Sequence, residues 1–197
     1  MQDDRNFDER REAMARAAWQ LLRDRGPAAI THRRVAAKAR VPPGSAGHLY
    51  RTKAELAAAA VSYAENARRQ YLNSLRRSLP QRITSATEAA RYLILAWYSP
   101  RDDEDLARMH VTPMLVAAVM PENRPIVFRS HENTASLIRT ILDRSGLRDT
   151  GITDAFPALV LGVVTQASFL EPDHVLESAT YTLARVLKEL APDLQLS

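Results

Sequence analysis

The sequence predicts an all-α fold, in which a small N-terminal three-helix domain is joined by one long helix to a larger helical domain. Apolar residues recur at the three- and four-residue spacing of helices along most of the 197 residues. Eleven prolines and six glycines favour helices with firm ends over a turn-rich β fold. No stretch alternates apolar and polar residues as a half-buried strand does. A chain of this length suits one or two domains with a sizeable core.

Composition excludes several classes of protein. The chain has no cysteine, so it has no disulfide, no thiolate zinc site and no cysteine nucleophile. The longest apolar runs, such as 57–61 and 115–120, are far too short to cross a membrane. The first residues, Met-Gln-Asp-Asp-Arg, do not form a secretory leader, so we expect a cytoplasmic protein.

The motifs of common enzyme classes are missing from the sequence. It contains no P-loop, no Gly-x-Gly-x-x-Gly fingerprint and no His-Glu-x-x-His helix. The segment 44–47 lacks both the pattern and the preceding strand of a nucleophile elbow. His110, His131 and His174 match no common spacing of metal ligands. The acidic run 101–105 is typical of a solvated helix start. We therefore expect a protein without catalytic activity, cofactor or metal.

Positive charge is concentrated at the N-terminal end. Residues 1–55 carry 12 Lys and Arg against 7 Asp and Glu, whereas the remainder carries 15 against 16. The whole excess of +4 therefore comes from the first quarter of the chain. A basic segment beside a near-neutral one is typical of a protein that attracts phosphates at one end, although solubility alone would account for a surplus of this size.

Three helices are predicted within the first 50 residues. The first spans 8–25 and ends at the Gly-Pro pair 26–27. A short helix spans 31–39 with Thr31 as its N-cap, and a second follows the break at 41–44 and runs to about residue 50. The residues expected to face inward are Met14, Ala18, Leu21, Leu22, Val35, Ala36, Ala39, Ala46, Leu49 and Tyr50.

A long helix is predicted from Lys53 until Pro80. Thr52 with Glu55 three residues later matches a capping box at its start. Because no flexible linker separates this helix from the N-terminal helices, we expect it to join the two halves of the chain rigidly. Further helices are predicted near 84–98, 102–119, 122–145, 152–170 and 173–190.

Two short helices joined by a tight turn form a helix-turn-helix, whose second helix can enter the major groove of DNA. With its apolar side inward, that second helix would direct Pro43, Gly44, Ser45, Gly47 and His48 toward DNA. Backbone phosphates would be bound by Thr31, His32, Arg33 and Arg34 at the start of the first short helix, and by Lys53. The alternative is a generic helical hairpin with a solvated basic face.

Two segments of this chain resemble the DNA-binding region of TetR-family transcriptional regulators. They are Arg-Glu-Ala-Met-Ala-Arg-Ala-Ala-Trp-Gln-Leu-Leu-Arg-Asp-Arg-Gly at 11–26, and Ile-Thr-His-Arg-Arg-Val-Ala-Ala-Lys-Ala-Arg-Val-Pro-Pro-Gly-Ser-Ala-Gly-His-Leu-Tyr-Arg-Thr-Lys-Ala-Glu-Leu at 30–56. The resemblance implies a DNA-binding domain at 8–55 and a helical ligand-binding and dimerisation domain at 56–197. It further implies a repressor that binds a palindromic operator as a homodimer and is released by a small molecule.

Three positions depart from the pattern of the family. Gly47 stands where an aromatic residue usually contacts a phosphate, so one positioning contact is lost. Leu49 replaces the customary histidine and should pack inward. Arg40 replaces the glycine of the turn, at a cost of about 1 kcal/mol if its backbone is left-handed, and it adds a charge beside the DNA.

The helices near 152–170 and 173–190 carry apolar faces that suit a four-helix bundle with a second chain, which is how the family dimerises. An ordinary internal core is the alternative for these faces, whose residues are Leu159, Gly162, Val163, Gln166 and Phe169, followed by Leu176, Ala179, Leu183, Val186 and Leu190.

A small-molecule site is expected among the middle helices, where large apolar side chains occur with a few polar ones. Core packing is the alternative for each residue taken singly. The candidates are Trp97, Met109, His110, Met114, Phe128, His131, Thr165 and Phe169. A helical small-molecule carrier or enzyme without DNA binding is the alternative function. The sequence does not distinguish a repressor from an activator or from a regulator without a ligand, and it identifies neither the effector nor the operator.

Overall fold

A computed structural model describes residues 2–98, 120–147, 153–193 and 195, and in these residues the chain forms eight α-helices. They are α1 (Gln2–Arg25), α2 (His32–Ala39), α3 (Pro43–Leu49), α4 (Lys53–Ser78), α5 (Ala86–Tyr98), α6 (Arg124–Arg144), α7 (Phe156–Leu170) and α8 (Val175–Leu190). Short 3₁₀ turns precede α2, α6 and α7. The all-α prediction is confirmed.

The described residues divide into two compact units. Unit 1 comprises residues 2–68 and 120–130, and unit 2 comprises residues 69–98, 131–147, 153–193 and 195. The residues of α4 and α6 are therefore shared between the two units. These compact units do not define functional domains, so the predicted boundary between a DNA-binding and a ligand-binding domain at 55/56 stays a prediction.

Helix α1 ends where the sequence predicted but begins six residues earlier. Gly26 stops it with φ 74°, a left-handed conformation that costs glycine little. The helix begins at Gln2 rather than Asp8, in a segment whose charged residues give no apolar periodicity to read. An i,i+4 hydrogen bond from Arg10 Nε to Asn6 Oδ1, 2.8 Å long, supports this exposed first part.

Helices α2 and α3 have the predicted caps and break. Thr31 Oγ1 accepts a hydrogen bond from the Arg34 amide at 3.3 Å, as an N-cap does. At the other end of α2, the amides of Arg40 and Val41 bond the carbonyls of Ala37 and Ala36, which is a Schellman motif. Arg40 accordingly has φ 57° and ψ 35°, and α3 begins three residues later.

The core of unit 1 holds the two short helices in place. Met14, Ile30, Val35 and Leu56 are fully buried. The remaining members of this apolar cluster come from α1 to α4 and from Met120: Ala17, Ala18, Leu21, Leu22, Ala29, Ala36, Val41, Ala46, Leu49, Tyr50, Ala57, Ala60 and Val61. Helices of seven and eight residues are unstable alone, so this burial is the main source of their stability.

The capping box at the start of α4 forms as a variant of the predicted one. The Glu55 amide donates to Thr52 Oγ1 at 3.0 Å, which confirms Thr52 as the cap. The Glu55 carboxylate reaches back to the amide of Arg51, at 2.9 Å, instead of the amide of Thr52. Two amides at the entry to α4 are thereby satisfied by side chains.

Unit 2 is a helical cluster in which α8 packs against α5 and α7. Its fully buried side chains include Leu93 and Ile94 of α5, Leu137, Ile138 and Ile141 of α6, Phe156, Val160 and Val164 of α7, and Leu183 and Leu187 of α8. Gln195 ties the end of the chain to the start of α5, since it bonds Ala86 at 2.8 Å and Thr84 at 2.9 Å.

The other predicted helices match to within a few residues at each end. The helix predicted at 102–119 lies outside the described residues. None of the described helices is both long enough and apolar enough to cross a membrane.

Arg144 joins the end of α6 to the segment that follows α4. Its guanidinium donates to the carbonyl oxygens of Leu79 and Pro80, each at 2.9 Å, and its own carbonyl accepts from the Ile83 amide at 2.9 Å. These carbonyls lie just past a helix end, where no intrahelical donor is available. Charge-assisted hydrogen bonds of this kind contribute more than neutral ones.

Replacing Arg144 by methionine should lower the free energy of unfolding by about 1.5–3 kcal/mol, because two carbonyl acceptors lose a charged donor. Arg139→Met on the exposed face of the same helix is the matched control and should change it by less than about 0.5 kcal/mol. Urea denaturation followed by circular dichroism measures both. Equal effects of the two substitutions would contradict the role given to Arg144.

Candidate nucleic-acid interface

Helix α3 has one buried side and one bare side. Ala46, Leu49 and Tyr50 are 1%, 6% and 5% exposed, as predicted, so Leu49 does pack inward. Gly44, Gly47 and His48 are exposed, and Ser45 is half-buried. Beyond the adjacent residues and the backbone of α3 itself, no atom of the described residues lies within 4 Å of the position that a Cβ would take at either glycine. The outer side of α3 therefore has no large side chain at Gly44 and Gly47, and its polar side chains are those of His48 and Ser45. Pro43 is the first residue of α3.

The start of α2 exposes three of the four residues predicted to bind phosphates. Thr31, Arg33 and Arg34 are exposed, and the Thr31 oxygen caps the helix while its hydroxyl proton stays available to a phosphate. His32 differs because it is half-buried and its Nε2–H donates to the carbonyl oxygen of Tyr50 at 2.8 Å. This bond ties α2 to the end of α3. Phosphate binding by His32 stays a prediction.

Lys53 lies exposed in the first turn of α4, as the prediction requires. The helix N-terminus carries a partial positive charge that adds to that of the ammonium. Arg51 and Thr52, just before it, are exposed as well. Unit 1 thus presents basic side chains at the starts of two different helices.

Sequence reasoning missed a stacked arginine on α1. The Arg11 guanidinium lies 5.0 Å from the centroid of the Tyr50 ring and 5.8 Å from that of Phe7. The Tyr50 hydroxyl donates to the Arg11 carbonyl oxygen at 3.0 Å, so the same ring is bonded at its polar end. The i,i+4 spacing of Phe7 and Arg11 was the available signal, but the contact with Tyr50 joins residues 39 apart. Tyr50 thereby connects α1, α2 and the end of α3.

The predicted effector residues are only partly brought together. The Trp97 and His131 rings meet edge to face with centroids 4.8 Å apart. Met109, His110 and Met114 lie outside the described residues. Phe128 is 66% exposed and belongs to unit 1, while Thr165 and Phe169 lie one turn apart on the exposed side of α7. An effector role for each of these residues stays a prediction.

The tyrosines near Trp97 are neutral at physiological pH. Burial raises the pKa of the Tyr98 hydroxyl well above its ordinary value, although a hydrogen bond with the neighbouring Trp97 side chain lowers it. Burial likewise raises the pKa of Tyr92, with a further contribution from its 3.0 Å hydrogen bond to the Glu88 carboxylate. Both side chains therefore carry neutral hydroxyls rather than phenolate charge.

The residues predicted for a dimer interface divide into three groups by burial. Ala179 and Leu183 of α8 are fully buried in the core of unit 2, so they have no surface to offer a second chain. Gly162, Gln166 and Phe169 of α7 are exposed, the last by 84%. The partly buried members are Leu159, Val163, Leu176, Val186 and Leu190. All the exposed members of the predicted set therefore lie on α7.

The chain is similar to solved structures in fold, although its sequence matches no family model and no curated protein. One structure, described as a TetR-family transcriptional regulator from Rhodococcus sp., aligns with a TM-score of 0.64 at 19% identity, over 93% of this chain and 98% of that one. The multidrug-binding protein EbrR, solved in complex with proflavin, aligns with a TM-score of 0.59 at 24% identity, over 90% and 99%. The chain therefore has the fold of the TetR-family regulators, as its N-terminal segments predicted.

The two histidines of the helix-turn-helix should respond differently to alanine. His32→Ala should lower the free energy of unfolding by about 1–2 kcal/mol, because a partly buried carbonyl loses its donor. His48→Ala should change it by less than about 0.5 kcal/mol, because that side chain is exposed. Urea denaturation measures both values. A destabilisation by His48→Ala as large as that by His32→Ala would contradict the outward position of residue 48.

Proposed function

We propose that this protein is a DNA-binding transcriptional regulator, a repressor that binds a palindromic operator as a homodimer and is released by a small molecule. The observation that carries the proposal is the two-sided character of α3. Its inner side is fixed in the core of unit 1, and its outer side presents small and polar residues that fit a groove about 12 Å wide. The fold similarity to TetR-family regulators supports the same function.

In the proposed complex, α3 lies in the major groove. Ser45 and His48 supply the hydrogen-bonding groups for base edges or nearby phosphates, and Gly44 and Gly47 let the backbone come close to the DNA. Thr31, Arg33 and Arg34 bind phosphates on one side, and Lys53 binds another with the help of the amides at the start of α4. His32 holds α2 against the end of α3, which fixes where these phosphate contacts lie.

A symmetric pair of chains is needed because a palindromic operator presents two half-sites. Two recognition helices must reach major grooves about 34–36 Å apart, one turn of the DNA. The exposed side of α7, with the large apolar side chains of Phe169 and Leu170 at its end, is the surface that we propose for the partner chain. EbrR binds proflavin; for this chain we propose an effector site that includes Trp97 and His131.

Release by an effector follows from a population shift. A ligand weakens DNA binding only by as much as it prefers the conformation that misfits the operator. Helix α4 contains Lys53 and also residues of unit 2, so it is the element through which we propose that a ligand-bound conformation displaces the DNA contacts.

Selection of duplexes from a random pool tests the function directly. Enrichment of a sequence with two inverted half-sites supports a dimeric DNA-binding regulator, and loss of that enrichment on adding a metabolite mixture supports an effector. Binding should weaken steeply between about 50 and 200 mM salt, since released counterions drive it. A chain that binds no duplex at 50 mM salt would overturn the proposal and favour a carrier.

Lys53→Ala and His48→Ala should separate phosphate binding from base reading. Lys53→Ala should weaken binding to all duplexes by a similar factor and lower the salt slope by about 1. His48→Ala should change the ranking of duplexes, with a cost of about 1–3 kcal/mol on the preferred one. Fluorescence anisotropy on the selected duplex and on a scrambled one measures both. Equal losses on both duplexes for His48→Ala would refute its role as a base reader.

Phe169→Asp should dissociate the proposed dimer. A carboxylate enclosed in an apolar contact must be desolvated, which should raise the dissociation constant of the dimer at least about 30-fold. Phe128→Asp replaces another exposed phenylalanine outside α7 and α8 and should leave the dimer intact. Light scattering distinguishes one chain of 22.0 kDa from a pair. If the Phe169→Asp protein has the same mass in solution and the same dimer dissociation constant as the parent, α7 is not part of the interface.

A further inference from the structure

The turn between α2 and α3 has a backbone geometry that favours glycine, yet the residue there is arginine. The Schellman bonds from Arg40 to Ala37 and from Val41 to Ala36 require a left-handed residue at position 40. Val41 is buried in the core of unit 1, so the motif cannot unwind without exposing it. Within the described residues, Arg40 is the one non-glycine residue with positive φ.

A second Schellman motif in this chain has glycine at the left-handed position. At the end of α6, the Leu147 amide bonds the Leu142 carbonyl at 2.9 Å and the Gly146 amide bonds that of Asp143 at 3.2 Å, which is again a Schellman motif. Gly146 has φ 80°, and Leu147 after it is buried as Val41 is. The two turns are therefore matched in bonding and in packing, and they differ in the residue that adopts the strained conformation.

Nothing inside the described part of the protein accounts for the arginine. Its side chain is exposed, and no described residue forms a hydrogen bond or ion pair with the guanidinium. Residues other than glycine that are kept in strained backbone conformations cluster at functional sites. Position 40 lies three residues before α3, a span of about 10 Å at most, and the arginine side chain can bridge part of that distance.

We propose that Arg40 binds a DNA phosphate at the entry of α3 into the groove, and that the chain keeps it there at a cost in stability. The inference rests on the proposed function, because it requires a duplex against α3. A guanidinium binds phosphate through two parallel hydrogen bonds, which makes it suited to this contact. Arg40, in the turn before α3, thereby supplies a phosphate contact that positions α3 on the DNA. Gly47, on the outer side of α3, has no side chain that could make such a contact.

Five variants separate charge from backbone strain. Arg40→Gly and Arg40→Asn remove the charge, and both residues tolerate a left-handed backbone. Arg40→Lys keeps the charge and the strain. Arg82→Ala removes an exposed charge from unit 2 as a control for net charge. Gly146→Arg places an arginine in the second Schellman motif, where open space at the Cβ position leaves backbone strain as its main cost.

Arg40→Gly should raise thermal stability and lower the affinity for a labelled random-sequence 30-base-pair duplex. Arg40→Gly should raise the unfolding midpoint by about 1–3 °C, and Gly146→Arg should lower it by a similar amount. Arg40→Gly and Arg40→Asn should weaken duplex binding several-fold and reduce the salt slope by about 1. Arg40→Lys should retain the slope, and Arg82→Ala should retain both affinity and slope.

The outcomes distinguish this inference from the proposed function. If the parent protein binds the duplex and Arg40→Gly binds it with the same affinity and salt slope, the Arg40 contact is wrong and the DNA-binding function stands. If Arg40→Lys loses as much slope as Arg40→Gly, charge is not what position 40 contributes, and the inference is overturned. A parent protein without duplex affinity at 50 mM salt would overturn the proposed function itself.

Discussion

The candidate nucleic-acid interface depends on the burial of one side of the seven-residue helix α3. Alone, α3 has too few internal hydrogen bonds to persist in water. Ala46, Leu49 and Tyr50 pack into the core of unit 1, and this packing both stabilises the helix and sets its rotation about its axis. Tyr50 adds polar ties, because its hydroxyl bonds α1 and its carbonyl accepts from His32 of α2. The outer side of α3 is thereby held open.

Local physics explains why the N-terminal helices could be predicted from the sequence. The inward set was right for Met14, Val35 and Leu49, since apolar spacing and burial follow from helical geometry alone. The caps at Thr31 and Thr52 and the stop at Gly26 depend on residues within four positions in the chain. Each of these features is therefore determined by residues next to it in the sequence.

Contacts between distant residues could not be predicted in the same way. The stacking of Arg11 on Tyr50, the bond from His32 to Tyr50 and the bonds from Arg144 to the segment after α4 join residues 18 to 65 apart. The burial of Ala179 and Leu183 belongs to this class, because an apolar helix face does not state whether its own chain or a second chain covers it. For the proposed effector site, the sequence supplied only residue types, and the structure shows that the rings of Trp97 and His131 are in contact.

The most direct test of the central claim asks whether a duplex covers the outer side of α3. The chain has no cysteine, so a single thiol can be placed at Gly47, where the Cβ position is open, and in a second protein at Asp143 on the exposed side of α6. A saturating duplex at low salt should slow maleimide modification of Gly47→Cys at least about tenfold and leave Asp143→Cys unchanged. Equal rates at position 47 with and without bound duplex would contradict the claim.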